Sequence, residues 1–237
     1  MRNVIKKLLP INLLILSAII VLALCLDIAV TQVNQVMPVD AGITVIIDPG
    51  HGMPDGGTTS CTGVLEADLN LEISQRLNDL FHLMGVDTVM TRTGRESIYT
   101  EGNSIAKKKV SDTQNRVSIV NNTDNAILLS IHQNHFYDSR YSGAQVFYAD
   151  NEESKILAQK LQADLIASTN PDSKRKAKKS SGVYLMEHIK HTGVLVECGF
   201  LSNQQEENCL RSPEYQKKLC AALAISTISY LNQYSAS

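Results

Sequence analysis

Short apolar runs alternate with longer amphipathic stretches through most of the chain, and each pattern predicts a different element. Runs of β-branched and aliphatic residues predict buried strands, the first of which covers Ile43 to Asp48. Apolar residues spaced three to four apart predict helices, the first of which begins at Leu65 and ends at Gly85. Further strands are predicted at 86–91, 126–132, 144–149, 183–186 and 193–197, and further helices at 114–120, at 152–168 and from 212 onward.

This alternation of strands and helices predicts the fold class. It favours an α/β domain with a central, mostly parallel or mixed sheet of five or six strands flanked by helices. The polar stretch from Arg92 to Thr113 shows no periodicity and is predicted to be a long loop. Since the chain has 237 residues and no internal repeat, we assign residues 42–237 to one domain.

The first thirty residues differ from the rest of the chain. Basic residues precede an apolar run from Leu8 to Val30, which is the pattern of exported proteins. The core of the run has the length of a signal peptide, whereas the whole run approaches the ~20 residues that span a bilayer. Residues 1–30 are therefore a cleaved signal or an uncleaved anchor, and the lack of a small-x-small cleavage site favours the anchor. Residues 31–41 are predicted to be a linker.

Charge and cysteine content exclude some classes of partner and site. The chain has 22 Lys and Arg against 24 Asp and Glu, so no nucleic-acid partner is expected. Its five cysteines contain no C-x-x-C pair, which argues against a cysteine metal site. The basic run from Lys174 to Lys179 is expected to be a solvated loop, with contact to an anionic wall polymer or lipid as the alternative.

Four polar side chains occupy the ends of predicted elements. His51 and His132 follow or end strands, Glu66 lies at the start of a helix, and Glu197 ends the last strand. Because strand carboxyl ends converge in an open α/β sheet, these residues can meet. Two imidazoles and one carboxylate form the His2Glu set of catalytic zinc sites, and a further carboxylate could accept a proton from water. The alternative is that all four are ordinary polar residues of the core or surface.

Four short motifs carry a resemblance to a known family. They are Asp48-Pro-Gly-His-Gly52, Glu66 followed by Asn70-Leu71, Ser130-Ile-His-Gln-Asn134 and Val196-Glu-Cys-Gly-Phe-Leu-Ser-Asn203. In this order they resemble the zinc-dependent N-acetylmuramoyl-L-alanine amidases, over a stretch from about Ile43 to Tyr234. The compact domain and the N-terminal segment look most like the germination-specific amidases of spore formers. Those enzymes lack a wall-targeting module and help to make muramic δ-lactam in the spore cortex.

The resemblance implies a reaction and a set of roles. It implies that His51, Glu66 and His132 hold zinc, that Glu197 is catalytic, and that the amide bond between N-acetylmuramic acid and L-alanine in peptidoglycan is hydrolysed. It also implies a location at the cell wall or in the spore intermembrane space, tethered to the membrane through the N-terminal segment, or else secretion. An activating protein partner is expected because one small cleft binds an insoluble polymer weakly.

Neighbouring polar residues are predicted to support the site. Asp48 is predicted to orient His51, as ligating histidines usually require. Asn134 is expected to support the zinc or to bind substrate, with an ordinary loop asparagine as an equal alternative. Arg92 could hold a substrate carboxylate with its guanidinium fork, or form a surface salt bridge. His135 is expected to be solvated rather than to serve as a spare ligand.

Two other functions stay open at this point. The same zinc chemistry would serve a peptidoglycan peptidase or a carbohydrate deacetylase, and only product analysis separates these from an amidase. An inactive wall-binding protein is the alternative from another class. The intact set of four residues argues against it, since such a protein has no chemical need for Glu197.

Overall fold

The structure, a computed structural model, describes residues 42–234. The membrane segment predicted at 1–30 and the linker predicted at 31–41 lie outside the described residues and stay predictions. Within residues 42–234 no helix is long and apolar enough to cross a membrane.

Six strands within residues 42–234 form one mixed sheet. They are β1 (Thr44–Pro49), β2 (Thr88–Met90), β3 (Ala126–Asn134), β4 (Gln145–Tyr148), β5 (Lys178–Lys179) and β6 (Thr192–Phe200). Their order across the sheet is β2-β1-β3-β6-β4-β5. Strands β2, β1, β3 and β6 are parallel, whereas β4 runs antiparallel to β6 and pairs in parallel with β5. The predicted fold class is therefore confirmed.

Six helices in the described part of the chain flank this sheet. They are α1 (Glu66–Leu83), α2 (Ile105–Asn121), α3 (Glu152–Thr169), α4 (Tyr184–His188), α5 (Gln204–Leu210) and α6 (Pro213–Tyr234). Helices α1, α3 and α6 pack on one face in a large apolar cluster. Helices α2 and α4 cover the other face with a much smaller cluster. The sheet is thus covered unequally on its two faces.

Strand periodicity explains why polar residues gather on the less covered face. Successive side chains of a strand point to opposite faces, so Ile46, Leu128 and Leu195 share the face of α2 and α4. The residues that follow these three at two-residue spacing are polar, and they lie at the carboxyl ends of β1, β3 and β6. They are Asp48, Ser130, His132 and Glu197.

The loop predicted from Arg92 to Thr113 is wrong in its second half. Helix α2 begins at Ile105, and the Ser104 hydroxyl caps it by accepting a hydrogen bond from the Lys107 amide. The buried side of this helix is mostly polar, so apolar periodicity revealed only its second half, as the helix predicted at 114–120. Its buried residues are Ser111, Asp112, Arg116 and Val120.

The predictions for three short elements also need correction. A strand was expected at residues 183–186, but helix α4 occupies this place, with Leu185 and Met186 buried side by side rather than alternately. Part of the basic run expected to be a loop forms the edge strand β5, where lysines discourage pairing with another chain. Helix α5, which was not predicted, starts at the Asn203 cap.

Candidate metal and catalytic site

Three side chains converge where β1 and β3 end. His51 follows β1, His132 lies on β3, and Glu66 is the first residue of α1. One nitrogen or oxygen atom from each lies within 4.8 Å of the other two. Glu66 Oε2 is 3.3 Å from His51 Nε2, and Glu66 Oε1 is 3.0 Å from His132 Nδ1. The structure thus brings together the three residues that the sequence predicts as metal ligands.

Two glycines make room for this cluster. A Cβ atom on Gly50 would overlap the His132 ring, and one on Gly57 would collide with the Glu66 carboxylate. Gly57 also has a φ of +69°, in the left-handed region that other residues rarely adopt. The glycine directly before His51 in the first motif is therefore required by the packing of His132.

Asp55, and not the predicted Asp48, orients His51. Asp55 Oδ2 accepts a hydrogen bond from His51 Nδ1 at 2.9 Å, which leaves His51 Nε2 facing Glu66. A tight turn brings Asp55 back, because the amides of Gly52 and Asp55 each donate to the other's carbonyl. The prediction that Asp48 orients His51 is therefore wrong. Asp55 was missed because the turn that brings it back to His51 was not recognisable in the sequence.

The charges in the cluster favour a cation at its centre. Burial alone would lower the pKa of His51, but the carboxylates of Asp55 and Glu66 outweigh it and raise this pKa to about 9. The pKa of Glu66 lies well below its ordinary value, since contact with the two histidines outweighs the opposite effect of burial. The negative charges of Asp55 and Glu66 stabilise a proton on His51, and a metal ion bound at the same place would displace that proton.

Asp48 forms a buried ion pair beside the cluster. Its carboxylate accepts hydrogen bonds from Arg116, from Thr91 at 2.6 Å and from Ser130 at 2.7 Å. Burial alone would raise the pKa of Asp48, but Arg116 and the two hydroxyls outweigh it and lower this pKa to about 2. Asp48 is therefore ionised in the folded protein at any pH near neutrality.

Arg116 links helix α2 to the loop that carries His51. It bonds Asp112 on its own helix at 2.8 Å and donates to the carbonyls of Pro49 and His51. His51 has a φ of +60°, a strained value for a residue with a side chain, and the bond to its carbonyl helps to hold it there. Sequence reasoning missed Arg116 because no motif or apolar period marks it.

Arg92 has a structural role. Its side chain is buried, and its hydrogen bonds go to the backbone carbonyls of Pro49, Gly50, Ala67 and Gly94. Burial, together with the nearby Arg116 charge, lowers the pKa of Arg92 to about 10. Both earlier expectations, a fork for a substrate carboxylate and a surface salt bridge, are therefore wrong. Arg92 stabilises the loop that leads to His51.

Glu66 is held by two neighbours for which no role was predicted. The Asn70 side chain donates to Glu66 Oε1 at 3.3 Å and to the Gly50 carbonyl at 3.1 Å, and the Gln133 amide donates to the same Oε1 at 3.2 Å. The spacing of four residues between Glu66 and Asn70 on one helix is the signal that could have revealed this contact. Asn134, the predicted supporting residue, is half-buried and accepts through its carbonyl from Leu201.

Glu197 completes the group on the strand next to His132. The two residues are paired in the sheet register, and the Glu197 side chain is half-buried. Its enclosed Oε2 has no hydrogen-bond partner among residues 42–234. Burial raises the pKa of Glu197 to about 7, an effect to which the Glu66 charge adds and which the two histidines oppose. An enclosed oxygen without a partner is costly, and it suits a group that receives a proton.

A cleft of about 570 Å³ opens beside these residues. Its floor is formed by the polar strand ends, including Glu197 and His132, and its walls come from α2 and from the segment around α4. Lys109 and Val110 line one wall, and Tyr184 lines the other. Since pockets of this size bind small molecules or short segments, the cleft can hold part of a polymer against the cluster. His135 lies exposed beyond the end of β3, as expected.

Comparison with known proteins defines the class of this chain. The profile of the family described as Amidase_3, N-acetylmuramoyl-L-alanine amidase, matches residues 45–227. The chain belongs to this family. It is therefore an N-acetylmuramoyl-L-alanine amidase, an enzyme that acts on peptidoglycan, and the predicted resemblance is confirmed.

Individual relatives narrow the comparison. The chain is 34% identical over 199 residues to the germination-specific N-acetylmuramoyl-L-alanine amidase of Bacillus subtilis (strain 168), with 81% of each protein covered. The structure of the CwlD amidase from Clostridioides difficile in complex with the GerS lipoprotein matches with a TM-score of 0.77 and 34% identity, covering 80% of this chain and 98% of that one. An N-acetylmuramoyl-L-alanine amidase from Clostridium difficile 630 matches with a TM-score of 0.69 and 29% identity, covering 80% and 97%.

Proposed function

We propose that this amidase is zinc-dependent and that His51, Glu66 and His132 hold the metal. The observation that carries the proposal is the convergence of three ligand atoms within 4.8 Å of one another. Two imidazole nitrogens and one carboxylate oxygen are the donor set of catalytic zinc sites, which keep one position open. When bound, zinc supplies Lewis-acid polarisation of the carbonyl group and makes water a stronger acid.

Glu197 is proposed as the general base. Its carboxylate lies beside His132 on the adjacent strand, and its enclosed oxygen has no partner among the described residues. It accepts a proton from the attacking water and passes that proton to the nitrogen of L-alanine as the amide bond breaks. Asp55 keeps His51 in the tautomer that leaves Nε2 free for the metal.

The biological setting is proposed from the relatives. The likeness to a germination-specific amidase supports a role in the spore cortex, through formation of muramic δ-lactam, with general cell-wall remodelling as the alternative. The solved CwlD amidase is in complex with the GerS lipoprotein, which supports an activating protein partner for this chain too. We place the enzyme on the wall-facing side of the membrane, with residues 1–30 as anchor or signal, residues 31–41 as linker and residues 42–237 as the catalytic domain.

Product analysis combined with metal content tests this proposal. Purified enzyme is incubated with peptidoglycan alone, with a chelator, and with a chelator followed by zinc. New L-alanine amino termini should appear, disappear with the chelator and return with zinc. His132→Ala should lose both metal and turnover, whereas His135→Ala, an exposed histidine three residues away, should keep both.

Two results would overturn it. An unchanged metal content in His132→Ala would show that the ligand assignment is wrong. Release of acetate, or of an amino terminus inside the stem peptide, would point instead to a deacetylase or to a peptidase.

A further inference from the structure

The cleft wall contains a cationic side chain that the proposed reaction does not use. Lys109 lies on α2, and 54% of its side chain is exposed. Its Nζ is 3.0 Å from Asp55 Oδ2, the same oxygen that accepts from His51. The ammonium group therefore lies within two hydrogen-bond lengths of the His51 ring and faces the cleft.

Among the described residues that line the cleft, Lys109 is the one lysine or arginine that a ligand can reach. Arg116 is the other cation of this type there, and it is buried with its donors bound to Asp48, Asp112 and backbone carbonyls. An ammonium has three donors, and the contact with Asp55 uses one of them. Lys109 can therefore bind a second carboxylate without giving up the first.

The chemistry of the substrate supplies such a group. The scissile amide joins the glycan to L-alanine, and the D-glutamate residue that follows L-alanine carries a carboxylate, or a carboxamide where peptidoglycan is amidated. One residue spans about 3.8 Å, so this group lies close to the reacting bond. We propose that Lys109 binds the stem-peptide carboxylate next to the scissile amide, and so selects unamidated stem peptides. This rests on the proposed metal site, which fixes where the amide lies.

A purely structural role is the competing explanation. In that case Lys109 only holds Asp55 in place, and its loss would weaken the enzyme for every substrate alike. The two explanations differ in one quantity, namely the ratio of kcat/KM for two substrates that differ only in that carboxylate. A role limited to the position of Asp55 should lower kcat/KM for both substrates in the same proportion, because it acts on His51 and not on the substrate carboxylate.

The experiment uses two soluble N-acetylmuramoyl peptides, one with D-glutamate and one with its carboxamide at the second position. The wild-type enzyme should prefer the carboxylate by about two- to fivefold, mainly through KM, as for a partly exposed ion pair. Lys109→Met should abolish the preference, and Lys109→Arg should keep it. Lys107→Met is the matched control, because it removes an exposed lysine of the same helix that does not line the cleft.

Dissociation constants for the same two peptides, measured by calorimetry on the Glu197→Gln protein, give the ratio independently of turnover. A failure of the zinc mechanism would therefore leave this ratio measurable. A wild-type enzyme without preference, or a Lys109→Met enzyme that is weakened on both peptides while keeping the wild-type ratio, would overturn the proposal. Metal content should be equal in the wild type and in the Lys109→Met, Lys109→Arg, Lys107→Met and Glu197→Gln proteins.

Discussion

The two faces of the sheet are built differently, and the contrast separates stability from chemistry. Helices α1, α3 and α6 cover one face with a continuous apolar cluster. On the other face α2 and the short α4 leave the carboxyl ends of the strands open to the cleft. A domain needs only one well-covered face to form a large core, so the second face is free to carry polar groups.

The sequence of strand β3 shows this difference between the two faces of the sheet. On the covered face it is apolar through Ile127, Leu129 and Ile131, and it becomes polar only at Gln133, the last but one residue of the strand. On the open face the series runs from Leu128 to Ser130 to His132, which is a change from apolar to polar along one strand. The polar residues of the open face thus lie at the strand ends that α2 and α4 leave uncovered, and they form the candidate site there.

The largest expected loss of stability without loss of chemistry lies on the covered face. Phe81 on α1 is fully buried in the large cluster. Phe81→Ala should lower the free energy of unfolding by about 3 to 5 kcal/mol, because it leaves a cavity. Turnover per folded molecule should stay unchanged, as measured by denaturant unfolding and an activity assay at low temperature. Leu83→Ala on the same helix is the control, since Leu83 is 84% exposed and should change little.

On the open face, Arg116→Met should reduce stability and activity together. It leaves Asp48 as a buried charge without its main partner, which costs about 3 to 5 kcal/mol. It also frees the His51 carbonyl, so the histidine loses its fixed position. Unfolding and metal binding are the measurements, and an Arg116→Met protein with wild-type metal affinity would show that the open face does not depend on this pair.

The pH dependence of stability in the wild type and in Arg116→Met tests whether the loss of stability comes from the unpaired charge of Asp48. The pKa of Asp48 falls from 3.8 to about 2 on folding, so its contribution is complete above about pH 4 and is lost as the pH falls toward 2. Without Arg116, burial raises the pKa of Asp48, and protonation then relieves the unpaired charge. The difference in stability between wild type and Arg116→Met should therefore begin to shrink above about pH 4, where Asp48 of the variant becomes protonated, and should continue to shrink as the pH falls toward about 2. A difference that stays constant would contradict the assignment.

A smaller effect is expected at Asp55, which contacts one of the proposed metal ligands. Asp55→Ala removes the hydrogen-bond acceptor of His51 Nδ1 and should weaken zinc binding by about 10- to 100-fold, with little change in stability. Competition with a metal indicator measures this affinity. Asp68→Ala serves as control, because Asp68 pairs with Arg95 on the surface, and it should bind zinc as the wild type does.

The same contrast explains what the sequence could and could not predict. The apolar periods of the covered face, as in α1, and the buried strands predicted the fold class, and the motifs at the strand ends identified the four central polar residues. Only residues 114–120 of helix α2 were predicted to be helical, because the buried side of this helix carries Asp112 and Arg116 instead of apolar residues. A polar face turned inward has no period that distinguishes it from a loop.

Long-range pairing was also out of reach. Arg116 and Asp48 form an ion pair although they are 68 positions apart, and nothing in the sequence near either residue indicates the other as its partner. Arg92 was placed correctly at the end of a strand, but its burial against backbone carbonyls depends on loops whose course the sequence does not reveal. The contact of Asp55 with His51 could not be predicted, because it depends on a turn that the sequence does not reveal.

The most direct test of the account concerns Glu197, whose proposed role is in the reaction alone. Glu197→Gln removes the carboxylate but keeps its size, so fold and metal content should stay those of the wild type, and loss of an unpartnered buried charge should not lower stability. Turnover should fall by about 10²- to 10⁴-fold. Zinc stoichiometry, melting temperature and product formation are measured on one preparation of each protein. Loss of turnover with zinc and fold retained is the predicted result, and near-normal turnover, or a loss explained by unfolding, would contradict the account.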